Sequence, residues 1–425
     1  MPIETFLWKG GHMRKYLSVI VFLCVIFGFT IGSAVVPSKK FSEMEKRNLQ
    51  QKPKVSVSSV VKGSYQKKYE KYLSDQFFLR DKWVNIYAQL EKNTGKKEIN
   101  NVYIGKDDYL IEKYSERDFD DELQKMNVKN LASFLDVCSE ELGKSNVTCM
   151  FVPSKIDVLR NKLSVLEEDY DGSKIVERVR SKVKNKDRVV NLADVLKKRS
   201  NEYIYYRSDH HWTTLGAYYA YQEYEKLNGR TAPALKEYKQ KVVFDDFLGT
   251  TYSKSHVPVK KDEVTTFSRG DEKVSINGNN GEFTSNSFYF EDVAKKSSDR
   301  YQLFFSKNTG KIEVTTSAKN NKVLLVLKDS YANCFIPFLS NEYSKIIMID
   351  CRYTKMKMKQ IFRQYPEITN VLVIYNIEKF RKDTHISSLQ MSLEELKAAR
   401  TKTNDKDKKD KDSEEDIFSG LVSLD

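Results

Sequence analysis

The sequence predicts an α/β fold in which a mostly parallel sheet is flanked by helices, with a β-rich insertion and an N-terminal transmembrane helix. Three observations lead to this prediction. Short apolar runs alternate with amphipathic stretches of helical spacing, an uncharged apolar segment lies near the N-terminus, and the alternation stops at about 240–320. Strands separated by helices of such length are typical of a sheet that is covered on both faces.

The composition is that of a folded protein. The 425 residues are 40% apolar and 12% aromatic, which excludes a mainly disordered chain and a polytopic membrane protein. Lys and Arg number 72 against 59 Asp and Glu, which gives a net charge of +13. The five cysteines include no CxxC pair, so a disulfide scaffold and a zinc ribbon are both excluded.

The N-terminus predicts the compartment. Residues 16–36 carry no charge and are long enough for a helix that spans a bilayer. Basic residues precede this segment, so 1–15 are predicted to be a cytoplasmic tail and the rest to lie outside the cytoplasm. The prediction is a single-pass protein of the cell membrane. The alternative is a cleaved signal peptide, since Gly32-Ser33-Ala34 resembles a cleavage site, and the protein would then be secreted.

The remaining chain divides into three predicted regions. Residues 37–94 are a linker and an N-terminal helical region, with the helical pattern at about 66–93. Residues 95–395 are the α/β domain, which contains the β-rich insertion at about 240–320. Residues 396–425 are a charged, low-complexity tail, for which disorder is expected.

The elements of the α/β domain follow from their apolar patterns. A hairpin is predicted at 102–111. The strand candidates are Val147–Val152, Val189–Leu192, Tyr203–Tyr206, Val323–Leu327, Lys345–Ile349 and Val371–Tyr375. The helix candidates are Val128–Leu142, Gly172–Lys184, Thr213–Leu227, Tyr331–Leu339 and Tyr353–Gln364. The insertion contains the short strand candidates Val274–Asn277, Tyr301–Phe305 and Ile312–Thr316.

Two of the five histidines, His210 and His211, lie in the loop between a predicted strand and a helix that begins near Thr213. Asp209 precedes His211 by two residues. A carboxylate in this position can bond one imidazole nitrogen while the other nitrogen faces a nucleophile, which is the base half of an acyl-transfer site. The alternative is structural: Asp209 caps the helix and Trp212 packs beneath it.

A second candidate element is the apolar strand Val323–Leu327, which leads through Lys328 and Asp329 into Ser330. A serine there lies at the carboxyl edge of a parallel sheet, where open α/β folds bind their ligands. The alternative is again a helix N-cap, for which serine is a favoured residue. Together with Asp209 and His211, Ser330 completes a constellation of the hydrolase type.

These two elements carry a resemblance to a known family. The landmarks, in chain order, are Phe41-Ser42-Glu43 with Glu45 and Arg47, Gly95-Lys96-Lys97-Glu98, Ser208-Asp209-His210-His211-Trp212-Thr213, Lys328-Asp329-Ser330-Tyr331-Ala332-Asn333 and Asp350-Cys351-Arg352-Tyr353. In this order they resemble the bacterial DHHW family over roughly residues 40–380. That family is similar to the SGNH-hydrolase-like proteins of alginate-type exopolysaccharide O-acetylation.

The resemblance implies roles for individual residues. Ser330 matches the nucleophile, His211 the base and Asp209 the residue that orients the base. Lys328 departs from the pattern, because it stands where the SGNH Gly-Asp-Ser element has glycine. The implied activity is that of a membrane-anchored extracytoplasmic O-acyltransferase or carbohydrate esterase that acts on a cell-envelope or exported glycan. The implied partner is a polytopic membrane-bound O-acyltransferase.

No cofactor is expected beyond an acyl donor supplied by the partner or the substrate, because the sequence has no Rossmann fingerprint, P-loop or zinc motif. Neighbours in an extended segment point to opposite faces, so 209–211 and His256 are not expected to hold a metal. Cys138 and Cys149 are candidates either for an extracytoplasmic disulfide or for buried thiols.

Four further residues are candidates for binding the substrate or the oxyanion. Arg352 and Asn376 each follow a predicted strand and are able to donate to an oxygen; a surface ion pair and a turn residue are the respective alternatives. Lys155 and Arg207 are candidates for an anionic substrate, although chance is the alternative in a chain so rich in basic residues.

A different class of function is also open. A basic protein outside the cytoplasm suits anionic wall polymers or lipid headgroups better than nucleic acid. The chain would then be a non-catalytic cell-envelope protein that binds wall polymer through its basic surface. Turnover of an acyl ester separates the two hypotheses.

Overall fold

The computed structural model describes residues 4–163, 170–270 and 272–401. Its α-helices are α1 (Glu4–Val35), α2 (Val57–Val61), α3 (Ser64–Asp75), α4 (Arg80–Asn93), α5 (Asp121–Leu142), α6 (Lys155–Val158), α7 (Ser173–Arg180), α8 (Ala193–Lys197), α9 (Thr214–Leu227), α10 (Thr250–Ser255), α11 (Glu291–Lys295), α12 (Met358–Gln364), α13 (Ile377–Lys382) and α14 (Leu393–Thr401). Its strands are β1 (Phe41–Ser42), β2 (Arg47–Asn48), β3 (Glu98–Ile99), β4 (Val102–Ile104), β5 (Leu110–Glu112), β6 (Val147–Val152), β7 (Val189–Asn191), β8 (Lys239–Phe247), β9 (Asp262–Ser268), β10 (Val274–Gly278), β11 (Phe283–Ser285), β12 (Lys311–Thr316), β13 (Val323–Lys328), β14 (Lys345–Ile349) and β15 (Asn370–Asn376).

The described residues form two units. The first lies within Met1–Asn100 and Thr250–Pro258, and the second within Asn101–Gly249 and Val259–Asp425. In the first unit, α1 contains Tyr16–Ser33, a segment long and apolar enough to cross a membrane, none of which is buried.

The helical pattern at 66–93 is two helices, not one. Gln76–Leu79 separate α3 from α4, and Leu79 adopts a left-handed backbone with φ of 56°. A left-handed residue cannot continue a right-handed helix, so the chain turns there.

The second unit is built on a sheet whose described strands run in the order β11-β10-β12-β14-β13-β15-β6-β7. The five strands from β14 to β7 are parallel, whereas β10, β11 and β12 join one edge in antiparallel fashion. The predicted mixed α/β fold with a mostly parallel sheet is therefore confirmed. Part of the β-rich segment extends this sheet, while β8 and β9 form a separate hairpin.

Two predicted strands differ in the structure. The strand candidate Tyr203–Tyr206 is reduced to one bridge between Tyr205 and Trp212. The candidate Tyr301–Phe305 is instead largely a 3-10 helix over Arg300–Leu303. Tyr203 donates its hydroxyl to Asp262, and Tyr301 stacks on His211. A two-residue alternation cannot separate these outcomes.

The predicted helix Tyr331–Leu339 is a pair of short 3-10 helices, Ser330–Cys334 and Ile336–Leu339. Pro337 lies in the first turn of the second one. Proline has no backbone N–H and cannot donate to the preceding turn, so a continuous α-helix through this segment is disfavoured.

Both faces of the central strands are buried. Along β13, Leu324 and Val326 belong to one apolar cluster, and Leu325 and Leu327 belong to the other. This alternation is the two-residue period of a strand packed on both sides. Cys138 and Cys149 are buried in the second cluster as free thiols, where burial raises their pKa values; the disulfide alternative does not hold.

The end of the described chain is helical. Leu396 and Ala399 of α14 are buried in the same cluster as Cys138. The first six residues of the predicted tail, 396–401, are therefore attached to the core by these two buried side chains. The rest of that predicted tail, 402–425, lies outside the described residues.

Two carboxyl groups are buried side by side near the carboxyl edge of the sheet. Asp157 accepts a hydrogen bond from the backbone N–H of Gly172 at 3.1 Å. Glu378 accepts from the hydroxyls of Tyr170, at 2.7 Å, and Ser154. Burial, and after it the neighbouring charge of Glu378, raise the pKa of Asp157 well above its ordinary value, and burial also raises the pKa of Glu378.

This raised pKa predicts how stability depends on pH. Above the ordinary pKa of an aspartate and below this raised pKa, the folded carboxyl keeps a proton that the unfolded carboxyl has lost, so rising pH favours the unfolded state. Asp157→Asn removes the contribution of Asp157 to this dependence. Its melting temperature relative to wild type should therefore rise over this range and level off above it. Thermal melts at several pH values check this, with the exposed Asp292→Asn as control; a constant difference would contradict it.

Candidate active site

The site is assembled where parallel strands end. The last residue of β13 leads directly into Asp329 and Ser330, and the neighbouring β15 ends at Asn376. The backbone N–H of Asn376 donates to Asp329 at 2.9 Å, and the N–H of Tyr331 donates to the other carboxylate oxygen at 2.9 Å. Asp329, not Ser330, therefore caps the turn, which leaves the Ser330 hydroxyl available to other groups.

The structure brings Asp209, His211 and Ser330 together in one line of hydrogen bonds. His211 Nε2 lies 2.8 Å from Ser330 Oγ, and His211 Nδ1 lies 2.6 Å from Asp209 Oδ1. All three side chains are buried. A carboxylate at Nδ1 favours the tautomer that carries its proton there, so Nε2 is free to accept the proton of the serine hydroxyl.

The loop that carries the histidine is held from three directions. Thr213 caps α9 by accepting from the N–H of Gly216, so this cap does not require Asp209. The indole N–H of buried Trp212 donates to the carbonyl of Tyr331 at 2.9 Å. Asp209 Oδ1 also accepts from the backbone N–H of His211 at 3.0 Å. The packing role considered for Trp212 therefore coexists with the hydrogen-bonded line.

Tyr301 fixes the plane of the imidazole. Its ring stacks on His211 with the centroids 3.8 Å apart and the planes 7° from parallel. Its hydroxyl donates to the backbone carbonyl of Ser330 at 3.1 Å. One side chain therefore contacts both the histidine and the serine. The sequence does not indicate this role, since the pattern around Tyr301 is typical only of a strand.

Asp262 is a second residue near the site that the sequence does not indicate. It is fully buried at the start of β9, and each of its oxygens accepts two hydrogen bonds. Oδ1 accepts from the N–H of Arg207 and the hydroxyl of Tyr203, at 2.8 and 2.5 Å. Oδ2 accepts from the N–H and hydroxyl of Ser208, at 2.8 and 2.5 Å. Asp262 thereby positions the two residues that precede Asp209.

His210 takes a different position from His211. The two ring centroids are 3.8 Å apart, and burial and the neighbouring His211 lower the pKa of His210 well below its ordinary value. Its backbone carbonyl accepts from the hydroxyl of Tyr331 at 2.5 Å. The Nε2 that faces Ser330 belongs to His211, which is the histidine predicted from the sequence to be the base.

The segment 208–211 is bent, so its neighbouring side chains do not point to opposite faces as they would in an extended backbone. One ligand atom each from Asp209, His210 and His211 lies within 4.8 Å of the others. However, both nitrogens of His211 already have partners, in Asp209 and Ser330. These contacts account for the arrangement through hydrogen bonds, and His256 belongs to the other unit.

Two of the four candidate binding residues have structural partners. Lys155 is buried and donates to the carbonyls of Leu110, Tyr206 and Arg207. An ammonium group has three donors, and these three carbonyls occupy them; a role for Lys155 in binding an anionic substrate stays a prediction. Asn376 caps α13, and its amide group donates to Val152 and Ser154. Its two N–H donors are therefore occupied, and a role for Asn376 at the oxyanion stays a prediction.

Arg207 and Arg352 are partly exposed. The guanidinium of Arg207 lies over the ring of Tyr203, 4.5 Å from its centroid, and its Nε donates to the carbonyl of Asp107. The guanidinium of Arg352 donates two hydrogen bonds to buried Asp350, at 2.9 and 2.7 Å. This is the ion pair expected if Arg352 does not bind substrate. A role for either arginine in binding substrate stays a prediction.

Lys328, which stands in place of a glycine, is buried beneath the serine turn. Its ammonium donates to the side-chain oxygen of Asn333 at 2.8 Å. Burial lowers the pKa of Lys328 to about 8, against the opposing charge of Asp350. The lysine thereby ties the end of β13 to the far end of the turn that begins at Ser330.

Comparisons with known proteins agree with this fold. Residues 92–349 match the family model described as DHHW protein. No curated protein sequence matches the chain. A DHHW family protein from Eubacterium siraeum superposes with a TM-score of 0.53 at 23% identity, over 71% of this chain and 96% of that one. PatB1 of Bacillus cereus, solved with a sulfonyl adduct, gives 0.55 at 18% identity, over 68% and 98%.

The O-acetyltransferase domain of Pseudomonas putida AlgJ is a more distant likeness, with a TM-score of 0.41 at 13% identity over 71% of this chain and 99% of that one. The likenesses to the Eubacterium protein and to PatB1 concern the fold. The range that the family model matches includes Asp209, His211 and Ser330 and covers more than half of the 425 residues. The chain is therefore a member of the DHHW family.

Proposed function

We propose that this protein is a membrane-anchored O-acyltransferase or esterase that acts outside the cytoplasm and uses Ser330 as its nucleophile. The observation that carries the proposal is the line of hydrogen bonds from Asp209 through His211 to Ser330, with distances of 2.6 and 2.8 Å. A serine paired with a base, and a base oriented by a carboxylate, is the arrangement required for covalent acyl transfer.

The proposed reaction has two steps, acylation of Ser330 and transfer of the acyl group to the acceptor. Ser330 Oγ attacks the acyl carbonyl of the donor while its proton moves to His211 Nε2, and the proton then passes to the departing oxygen of the donor. This breaks the donor ester and leaves an acyl-serine. In the second step, a sugar hydroxyl or water gives its proton to His211 and attacks the acyl-serine. His211 returns this proton to Ser330 Oγ as the bond between Oγ and the acyl carbon breaks, which releases the new ester or the free acid and restores the serine hydroxyl. Asp209 stabilises the imidazolium formed in each step.

The acyl group and the acceptor come from the family resemblance. Similarity to proteins of exopolysaccharide O-acetylation favours acetyl as the group and a cell-envelope or exported glycan as the acceptor. The apolar segment Tyr16–Ser33 and the basic residues before it favour a single-pass anchor with the catalytic unit outside. A polytopic membrane-bound O-acyltransferase is the proposed source of acetyl groups, since acetyl donors of the cytoplasm must cross the bilayer.

Covalent labelling tests the proposal directly. The full chain in detergent is treated with a phenylmethylsulfonyl reagent, and the tryptic peptides are analysed by mass spectrometry. We expect one sulfonyl group per chain, on Ser330, and loss of turnover of a chromogenic acetyl ester in parallel. His211→Ala should prevent both, because the hydroxyl would lack its base.

Buried Ser340, which lies outside the site, gives the control Ser340→Ala, for which labelling and turnover should persist. Labelling of other serines at the same rate would contradict the assignment of Ser330. A wild-type protein that turns over no acyl ester, with or without a membrane-bound acyltransferase, but binds wall polymer would instead support the non-catalytic hypothesis.

A further inference from the structure

The apolar face of helix α4, in the first unit, is exposed on the protein surface. Trp83, Ile86, Tyr87 and Leu90, here called the α4 stripe, are 44–58% exposed. Their spacing of three and four residues places them on one face of the helix. A helix of a soluble protein normally has the opposite arrangement, with its apolar face toward the core.

The other face of α4 makes polar contacts with its own unit. The hydroxyl of Tyr252 donates to the side-chain oxygen of Asn85 at 3.3 Å, and the ammonium of Lys92 donates to the carbonyl of Pro258 at 2.8 Å. These contacts fix the rotation of the helix. Its exposed apolar face is therefore a consequence of how α4 is attached.

The α4 stripe is continuous with the apolar helix α1. The ring of Trp83 lies 5.5 Å from that of Phe29, which stacks on Phe77 at 5.4 Å. The backbone N–H of Phe78 donates to Ser33 at 3.2 Å. A side chain at Gly32 would come within 2.8 Å of the Phe78 ring, so this glycine permits the close approach. The start of α4 is thereby attached to the end of the segment Tyr16–Ser33.

Lipid fits this surface in both shape and chemistry. Tryptophan and tyrosine favour the boundary between headgroups and acyl chains, and an amphipathic helix lies in that plane with its apolar face toward the lipid. Lys82 and Lys97, close to the two ends of α4, are exposed and would meet anionic headgroups. We propose that the α4 stripe inserts into the outer surface of the lipid bilayer beside α1, an inference that rests on the proposed membrane placement of α1.

Photolabelling from the lipid phase tests this proposal. The full chain is reconstituted in liposomes of phosphatidylcholine and phosphatidylglycerol that contain a phospholipid with a photoreactive acyl chain. After irradiation, trypsin cleaves beyond Lys82 and Lys92, so the α4 stripe is released as peptide 83–92, and the apolar part of α1 is released as 16–39. We expect lipid adducts on both peptides.

The variant Ile86→Asn with Leu90→Asn should lower the yield of adduct on 83–92 at least fivefold and leave that on 16–39 unchanged. Gln89→Asn, a polar exchange on the same helix, should change neither, and circular dichroism verifies that each variant is folded. Adducts on 16–39 without adducts on 83–92 would overturn the inference and favour a protein partner for the stripe. Adducts on neither peptide would overturn the membrane placement of α1 as well.

Discussion

Ser330→Ala is expected to lower the turnover of an acetyl ester by at least about 10³-fold, because the acyl-serine intermediate cannot form. His211→Ala should cost about as much. The two losses should not add in the double variant, since the serine and its base act as one unit. Initial rates of chromogenic ester hydrolysis by the full chain measure all three effects.

The same experiment has an internal control in the adjacent histidine. His210→Ala should cost far less, because the nitrogen that faces Ser330 belongs to His211. Ser330→Ala should also melt close to wild type, since Asp329 and not Ser330 caps the turn. An active wild type whose turnover survives both Ser330→Ala and His211→Ala would refute the triad.

Gly249→Ala, which replaces none of the three proposed catalytic residues, is expected to reduce turnover by about 10²-fold, as small misplacements do in such sites. A Cβ at this position would overlap the Cβ and a carboxylate oxygen of Asp209. Asp209 must then move, and with it the imidazole that it orients. Steady-state rates with the acetyl ester measure the loss, which should fall on kcat more than on KM.

Gly229→Ala separates this effect from a general loss of stability. Gly229 has a φ of +68° and open space around it, so alanine there costs about 1 kcal/mol of folding free energy but leaves Asp209 in place. Its turnover per folded molecule should equal that of wild type. Equal losses in the two variants would show that Gly249 acts through stability alone.

The central strands could be predicted from the sequence because each is a short, continuous apolar run. Val323–Leu327 and Val371–Tyr375 are examples, and the structure extends each by one or two residues. Ser330 and the Asp209–His211 pair could be predicted from the sequence for a similar reason. Each directly follows or precedes a strongly patterned element, and the carboxyl edge of a parallel sheet collects such residues.

The residues around the triad could not be predicted in this way. Tyr301 and Asp262 meet their partners across 29 and 54 positions in the sequence, and no local period encodes those contacts. The buried position of Lys155 could not be predicted for a different reason. A lysine in a basic chain indicates a solvated charge, whereas its ammonium group lies buried among three backbone carbonyls. Only the tertiary fold brings those carbonyls together.

The position of β15 has a consequence for how this protein can be divided. The segment that carries the family pattern ends at residue 349, before β15 begins at Asn370. Yet β15 lies between β13 and β6, and its last residue donates to Asp329. A fragment ending at 349 would hold two groups of strands with no hydrogen-bonded strand between them. The turn that carries Ser330, the proposed nucleophile, would also lack its hydrogen bond from Asn376. The stretch by which the protein is recognised is thus shorter than the stretch that can fold, and any excised catalytic piece must reach beyond Asn376.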